Sequence, residues 1–383
     1  MSNLIKVIND PHNGIERILN RLESAGNTSF LLCLGSTMTS DLEGISAAGA
    51  TAADRRLTPR FDAEALMLGR TADGSNIPVS PFGIASPVVL TRACLDILKS
   101  ERLIIDCGTF APPRVEKIQV GTLPAQCVSS GNALPLDHVY DLFERGLKIG
   151  ARAAAGKQAV IIAECVPGGT TTAMAVLTGL GNRVSDFISS SIPAGEKEMD
   201  NKRRFMLVNE GLEKAGLKSE KKILEELDPF ILLSKVGDPM QPVAAGCAIG
   251  AAATATVVLA GGSQMLAVHE VAEKIAASMK EENQKNFKEN CLVITTRWVA
   301  YDPKADTPAL AKALDAPLAC TTFSLGESIH DGLKAYEEGH VKEGVGAGAS
   351  IALANLIGKS DQKTLLDAID RSYSSLVSPG DSA

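Results

Sequence analysis

Short apolar runs that break into polar, glycine-bearing segments recur along the chain, and stretches with helical spacing separate them. The runs are Phe30–Leu34, Leu103–Ile105, Ala159–Ala163, Pro229–Leu233, Thr256–Ala260, Cys291–Thr296 and Pro317–Phe323. Their length and lack of alternation are those of strands buried on both faces of a parallel sheet. A short helix is expected within residues 3–24, and Ser86-Pro87 supplies a cap and a first-turn proline for a helix from Val88. Further helices are expected at Asp137–Ala155, after Thr170–Thr172, at Pro242–Ala253, and from Gln264 to about Asn290. Thr307 as cap and Pro308 in the first turn start another, and Gln362–Leu376 is the last. Asn201–Ala215 and Glu220–Leu227 read as charged amphipathic helices with one solvated face. Gly44–Asp62 holds too many breakers for a long helix, residues 75–86 and Cys107–Pro135 are turn-rich, and Ser190–Gly195 is a loop. Residues after Ser378 are expected to fray. The alternation predicts an α/β fold: a mostly parallel, Rossmann-like sheet of six or seven strands with helices on both faces. Residues 26–325 are expected to form this domain, and 1–25 with 326–383 a small, mainly helical one.

The stretch AVIIAECVPGGTTTAMAVLTGLG, Ala159–Gly181, passes from strand to glycine loop to helix within one unit. Gly168 and Gly169 allow a sharp turn and a close backbone approach, while Thr170, Thr171 and Thr172 offer hydroxyls ahead of an Ala-rich helix. Unpaired N–H groups and the positive end of the helix dipole favour an anion there. The pattern fits neither GxxxxGK[ST] nor GxGxxG, so it names no cofactor, and a hydroxyl-capped helix after a tight turn is the plainer alternative. Gly261-Gly262-Ser263 and Gly237-Asp238 form comparable glycine loops ahead of helices.

Composition narrows the function. The 383 residues carry a net charge of −7, which argues against a nucleic-acid surface but leaves room for a locally basic pocket. Eight cysteines, scattered singly and mostly in apolar contexts, read as reduced core residues of a cytoplasmic protein. The charged N-terminus lacks the apolar core of a signal peptide. Val243–Val268 is free of charge over more than the roughly 20 residues that span a bilayer. Its apolarity comes largely from Ala and Gly, so a buried helix running into a buried strand is expected, and no membrane partner. The five histidines share no metal spacing and no serine lies in GxSxG, so neither a metal site nor a hydrolase triad is expected.

Three loops together resemble the nicotinate-nucleotide:dimethylbenzimidazole phosphoribosyltransferases, which attach ribose phosphate to the lower-ligand base of cobamides. Glu164-Cys165-Val166-Pro167-Gly168-Gly169-Thr170-Thr171 looks like that family's glutamate followed by a Gly-rich, Thr-Thr loop. Gly237 and the run Ala244–Ala267 are similar to its glycine ahead of an Ala/Gly-rich helix, strand and second glycine loop. Lys342-Glu343-Gly344-Val345-Gly346-Ala347 looks like a variant of its Gly-Glu-Gly-Thr-Gly-Ala segment, which holds the catalytic glutamate. The second half of the chain carries the likeness. In the first half, GISAAGA (Gly44–Ala50) and TPRFDAE (Thr58–Glu64) are closer to archaeal and cyanobacterial relatives. Gly169 stands where the family usually has Asn, Val166-Pro167 replaces Gly-Ile, and Val345 replaces Thr.

The resemblance implies transfer of phosphoribose from nicotinate mononucleotide to a ring nitrogen of an aromatic base, of benzimidazole or purine type, in a homodimer that needs no cofactor. Pyridinium is already a cationic leaving group, whereas the acceptor must lose its N–H proton. A carboxylate in a partly dry pocket suits that step. Glu343, flanked by Gly344 and Gly346, is the implied base, and Glu164 positions substrate or else caps its own loop. Gly168, Gly169, Thr170, Thr171, Gly237, Asp238, Gly261, Gly262 and Ser263 are the implied substrate and phosphate contacts, with Lys235 a candidate cation. Two alternatives remain at this point. A pyrophosphate-using phosphoribosyltransferase pairs acids after the strand to work with magnesium, and Glu164 has no acidic sequence neighbour. A catalytically silent nucleotide-binding or regulatory homologue would accommodate the change at Val345.

Overall fold

The computed structural model describes residues 4–79, 83–182, 184, 187–188, 197–217 and 227–377; side chains of 197–201 are not described. The expected loop Ser190–Gly195, most of the expected helix Glu220–Leu227 and the tail after Ser378 lie outside the described residues.

Among the described residues eight strands form one sheet: β1 (Ile5–Asn9), β2 (Thr28–Leu34), β3 (Glu101–Asp106), β4 (Ile118–Gln119), β5 (Ala159–Cys165), β6 (Thr256–Ala260), β7 (Cys291–Thr295) and β8 (Leu318–Thr321). Their order is β1-β8-β7-β6-β5-β2-β3-β4, with every pair parallel except β1 and β8. The expected mostly parallel α/β sheet is therefore present, and alternate residues of the central strands feed two cores. Val160, Ile162, Val257 and Leu259 face one side. Ala159, Ile161, Ala163, Val258 and Ala260 face the other. Burial on both faces explains the unbroken apolar runs.

On the first side, helices Leu136–Ala154 and Met240–Ala252 meet through reciprocal glycines. A Cβ on Gly150 would come within 2.1 Å of the Cys247 carbonyl oxygen, and one on Gly250 within 2.2 Å of that of Leu147. The Ala/Gly content of Val243–Val268 thus serves close helix packing. Among the described residues no helix is long and apolar enough to cross a membrane. All eight cysteines are free, and all but the half-buried Cys127 are buried.

Four expectations need correction. Residues 3–24 also contain β1, a half-exposed edge strand whose mixed pattern hides it ahead of the helix Ile15–Glu23. Gly44–Asp62 does not stay irregular, because Thr51 and Asp54 form a capping box and start the 17-residue helix Ala52–Leu68 with Pro59 inside it. The box and an Arg60–Glu64 pair at 2.8 Å offset the bond that Pro59 cannot make. Pro229–Leu233 belongs to the helix Pro229–Val236, with Pro229 in the first turn and the Asp228 carboxylate accepting from Phe230 N at 2.8 Å. The helix expected from Gln264 to Asn290 breaks at extended Met279 and Lys280 into Ser263–Ser278 and Glu281–Asn290. The second piece buries only Phe287, so one anchoring side chain sets its direction. A smaller shift concerns Thr307, since the preceding Asp306 supplies the cap, accepting from Ala309 N at 2.9 Å.

Candidate active site

At the C-terminal ends of β5, β6 and β7 lies a cleft that is open to solvent. Open parallel sheets present their ligand crevices at this edge. Two helices point their N-termini toward it, Gly169–Gly179 after β5 and Ser263–Ser278 after β6. Thr170, Gly262, Ser263 and Gln264 line this pole, and Glu164 and Glu343 line the cleft with them. Glu164, Thr170, Gly262, Ser263 and Glu343 come from three distant parts of the sequence, and the fold brings them to one place.

Glu343 is held by four donors. Its Oε2 accepts from Thr295 Oγ1 at 3.2 Å and Thr296 N at 2.9 Å, and its Oε1 from Gly344 N at 3.1 Å and Gly348 N at 3.2 Å. Burial outweighs these donors and pushes its pKa up to about 7. The carboxyl group is therefore fixed in direction and can exchange a proton near neutrality.

The segment that carries it is tightly constrained. Gly344, Val345 and Gly346 have φ of 154°, 52° and 72°. For β-branched Val345 the left-handed region is a true outlier, and such strain persists only where the surroundings enforce it. Val345 N donates to the Glu164 carbonyl at 3.1 Å, and its carbonyl accepts from Thr91 Oγ1 at 2.9 Å. Its side chain is packed into the second core, away from the cleft. A Cβ on Gly346 would lie 2.8 Å from that of Ala163, so this glycine lets the segment lie directly against the sheet.

Glu164 is 5% exposed, and its Oε2 accepts from Val166 N at 3.0 Å, so it caps its own loop while lining the cleft. Burial first, and then the negative charge of Asp238, push its pKa up to about 8. Glu343 and Asp62 push it in the same direction. Acids that are absent beside Glu164 in sequence thus gather around it in space.

Among the other expected residues, Gly168 (φ 84°) turns the chain into the helix against Ser40. Gly169 lies beneath Gln264, and Gly261 (φ 158°) opens the second loop. Thr171 is fully buried, its hydroxyl without a partner among the described residues. Gly237 and Asp238 lie outside the cleft lining. Asp238 is fully buried, accepts from Thr172 Oγ1 at 2.6 Å, and receives Met240 N and Gln241 N at 3.0 and 3.3 Å. It ties the start of one helix to the body of another. Lys235 sits in the last turn of the helix Pro229–Val236, also outside the lining.

Sequence reasoning missed Gln264, Lys342, Asp302 and the apolar wall of Phe187, Ile188, Val299 and Ala305. Lys342 stood beside Glu343 in the motif, but its buried ion pair with Asp302 joins residues 40 positions apart. No local pattern reports such a pair.

With this geometry in view, the relatives can be placed. A UPF0284 protein of Gloeothece citriformis is 42% identical over 345 residues, covering 89% of this chain and 90% of the relative. One from Gloeobacter violaceus is 42% identical over 342 residues, covering 89% and 86%. The chain belongs to the UPF0284 family. A family model described as Phosphoribosyltransferase matches residues 92–282, which include Glu164 and both glycine loops of the cleft. Among solved structures, CobT from Thermus thermophilus aligns with a TM-score of 0.61 at 15% identity, covering 94% of this chain and 89% of that one. A nicotinate-nucleotide-dimethylbenzimidazole phosphoribosyltransferase from the same organism gives 0.59 at 16%, covering 94% and 88%. At such identity these two speak for the fold. The family resemblance read in the sequence, on its cyanobacterial side, is borne out by these relatives and by the phosphoribosyltransferase model.

Proposed function

We propose that this UPF0284 protein moves the 5-phosphoribosyl group from nicotinate mononucleotide to a ring nitrogen of a benzimidazole- or purine-type base. Nicotinate and an α-ribazole-phosphate-like nucleotide are the products, for assembly of the cobamide nucleotide loop. The observation that carries this reading is the placement of Glu343, held by four donors with its pKa near 7, in the same cleft as two helix N-termini.

In this mechanism the N–H groups and hydroxyls of Thr170, Gly262 and Ser263 hold the 5′-phosphate. The bond from C1′ to the pyridinium nitrogen breaks, its electron pair leaving with nicotinate, and the acceptor's ring nitrogen bonds to C1′. Glu343 takes the acceptor's N–H proton, and its negative charge steadies positive charge developing on the ribose. Glu164, with a pKa of about 8, is mostly protonated at neutral pH and acts as a supporting, neutral carboxyl group. A homodimer in the cytoplasm is part of the proposal, supported by the resemblance and the free cysteines. The Thr-to-Val change does not favour a silent homologue, because the Val345 side chain points into the core.

The test is product analysis. Purified protein should release nicotinate from nicotinate mononucleotide only when a benzimidazole or purine is present, and Glu343→Gln should lower kcat about 10²–10⁴-fold while mononucleotide still binds. No release across a broad acceptor panel would refute the assignment. Turnover that requires 5-phosphoribosyl pyrophosphate and magnesium would move the protein to the other phosphoribosyltransferase class.

A further inference from the structure

Left-handed Val345 (φ 52°) lies between two of the donors to Glu343, since Gly344 N and Gly348 N both bond Oε1, at 3.1 and 3.2 Å. The direction of that carboxyl group therefore depends on the path of the chain at Val345. A β-branched residue reaches this region only at a steric cost, so left to itself it returns to negative φ. The bond from Val345 N to the Glu164 carbonyl ties one side of the residue to the end of β5. The other side needs a hold of its own.

That hold comes from the first half of the chain. The helix Val88–Leu98 starts against the Glu343 segment, where Pro87 and Thr91, one turn apart, meet it. A Cβ on Gly344 would lie 3.4 Å from Pro87 Cγ, and the Thr91 hydroxyl donates to the Val345 carbonyl at 2.9 Å. That hydroxyl is also 3.3 Å from the Pro87 carbonyl. The Pro87 oxygen, however, already receives Leu90 N and Thr91 N at 3.0 and 3.1 Å, so the single hydroxyl proton serves Val345 best. Just ahead of the helix, the Tyr336 hydroxyl donates to the Ala85 carbonyl at 2.9 Å and fixes where it begins. Thr91 and Val345 are both buried, and Thr91 lies outside the cleft lining. A buried carbonyl that loses its donor is costly, because water does not reach it as a replacement.

We infer that Thr91 is a positioning residue, whose hydroxyl holds Val345 in its left-handed conformation and so sets the direction of the Glu343 carboxyl group. The conformational half of this inference stands on the geometry alone, and the kinetic half rests on the proposed reaction, in which Glu343 is the base. Without the hydroxyl, Val345 relaxes toward negative φ and carries Gly344 N and Gly348 N away from Oε1. Glycine at position 345 needs no such hold, since it adopts the left-handed region without steric cost.

The experiment compares the full-length protein with Thr91→Val, Thr91→Ser, Val345→Gly and the double variant Thr91→Val/Val345→Gly, each checked for folding by thermal melting. Crystal structures read φ at residue 345 and the distance from Gly344 N to Glu343 Oε1. In Thr91→Val residue 345 should leave the left-handed region and that distance should exceed about 3.5 Å, whereas the double variant should keep both. Thr91→Val should lower kcat about ten- to a hundredfold with KM for the donor within about twofold. The acid limb of its pH profile should move upward, because the ionised form of Glu343 has lost donors. Thr91→Ser should keep most of kcat, and the double variant should stay within about twofold of Val345→Gly. An unchanged φ and an unchanged bond in Thr91→Val would overturn the inference, as would an equal loss of kcat on adding Thr91→Val to Val345→Gly. If Thr91→Val does not fold, Thr91→Ala is read by the same criteria. If the unaltered protein shows no turnover, the proposed reaction fails, and the crystal structures alone decide the role of Thr91.

Discussion

A Cβ atom on Gly169 would lie 1.8 Å from Gln264 Oε1, so the side chain from the β6 loop fills the space that any other residue would need at the start of the β5 helix. Gln264 lines the cleft, and its Oε1 is buried without a partner among the described residues. The two loops thus interlock through a missing side chain, and the carboxamide is left facing the ligand space.

Gly169→Ala should fold, because the atoms it meets are the end of a flexible side chain, at a stability cost of about 1 kcal/mol. The displaced carboxamide enters the cleft, so KM for the phosphoribosyl donor should rise about tenfold. Adding Gln264→Ala should recover most of that loss. Steady-state kinetics of the two single variants and the double variant provide the check, and simple additivity of the effects would show that the loops act independently.

The pH dependence follows from Glu343. A base works in its ionised form, and burial has moved this carboxyl up to about 7. kcat/KM for the acceptor should therefore climb about tenfold per pH unit on the acid side and level off above neutrality. A profile that is flat from about pH 5 to pH 9 would exclude Glu343 as the base whose ionisation controls the rate.

Glu164 makes a prediction about stability. Its folded pKa of about 8 lies above the ordinary glutamate value of 4.5. The folded state therefore holds a proton that the unfolded state releases between those two values, and stability falls as pH rises through that window. Glu164→Gln should flatten this decline, raising Tm relative to the unaltered protein most clearly near pH 8. Parallel Tm curves for the two proteins would contradict the shift.

Gly348 has no slack of the kind found at Gly169. A Cβ there would meet the Thr295 carbonyl carbon at 2.3 Å and Thr296 N at 2.4 Å, and those are backbone atoms that cannot turn aside. Gly348→Ala should cost about 3 kcal/mol or more and pull two donors, Thr296 N and Gly348 N, away from Glu343. Chemical denaturation, with activity measured on the fraction that folds, checks both effects.

Much of this architecture is written in local pattern. The runs that became β2, β3 and β5 to β8 were legible because strands covered on both faces are apolar without interruption. β1 was not, since an edge strand alternates weakly over five residues. Pro59 and Pro229 misled for one shared reason: whether a proline breaks or starts a helix depends on the cap before it. In the cleft, the glycine loops stood out because their backbone needs restrict residue choice, and Glu343 through the family resemblance of its segment. Lys342 with Asp302, and Gln264 over Gly169, are pairs whose meaning exists only once the chain has folded.

The edge strand β1 has a consequence for how the molecule is made. Among the described residues its only sheet partner is β8, joined antiparallel, and just ahead of it Leu4 N donates to Asn355 Oδ1 across 351 residues. During synthesis β1 leaves the ribosome long before β8 and must wait for it to complete the pairing. Contacts this distant in sequence slow folding, and until they form the edge of β8 is open to other chains. Synthesis rate and chaperone supply should therefore affect the yield of this protein more than the stability of its finished fold would suggest.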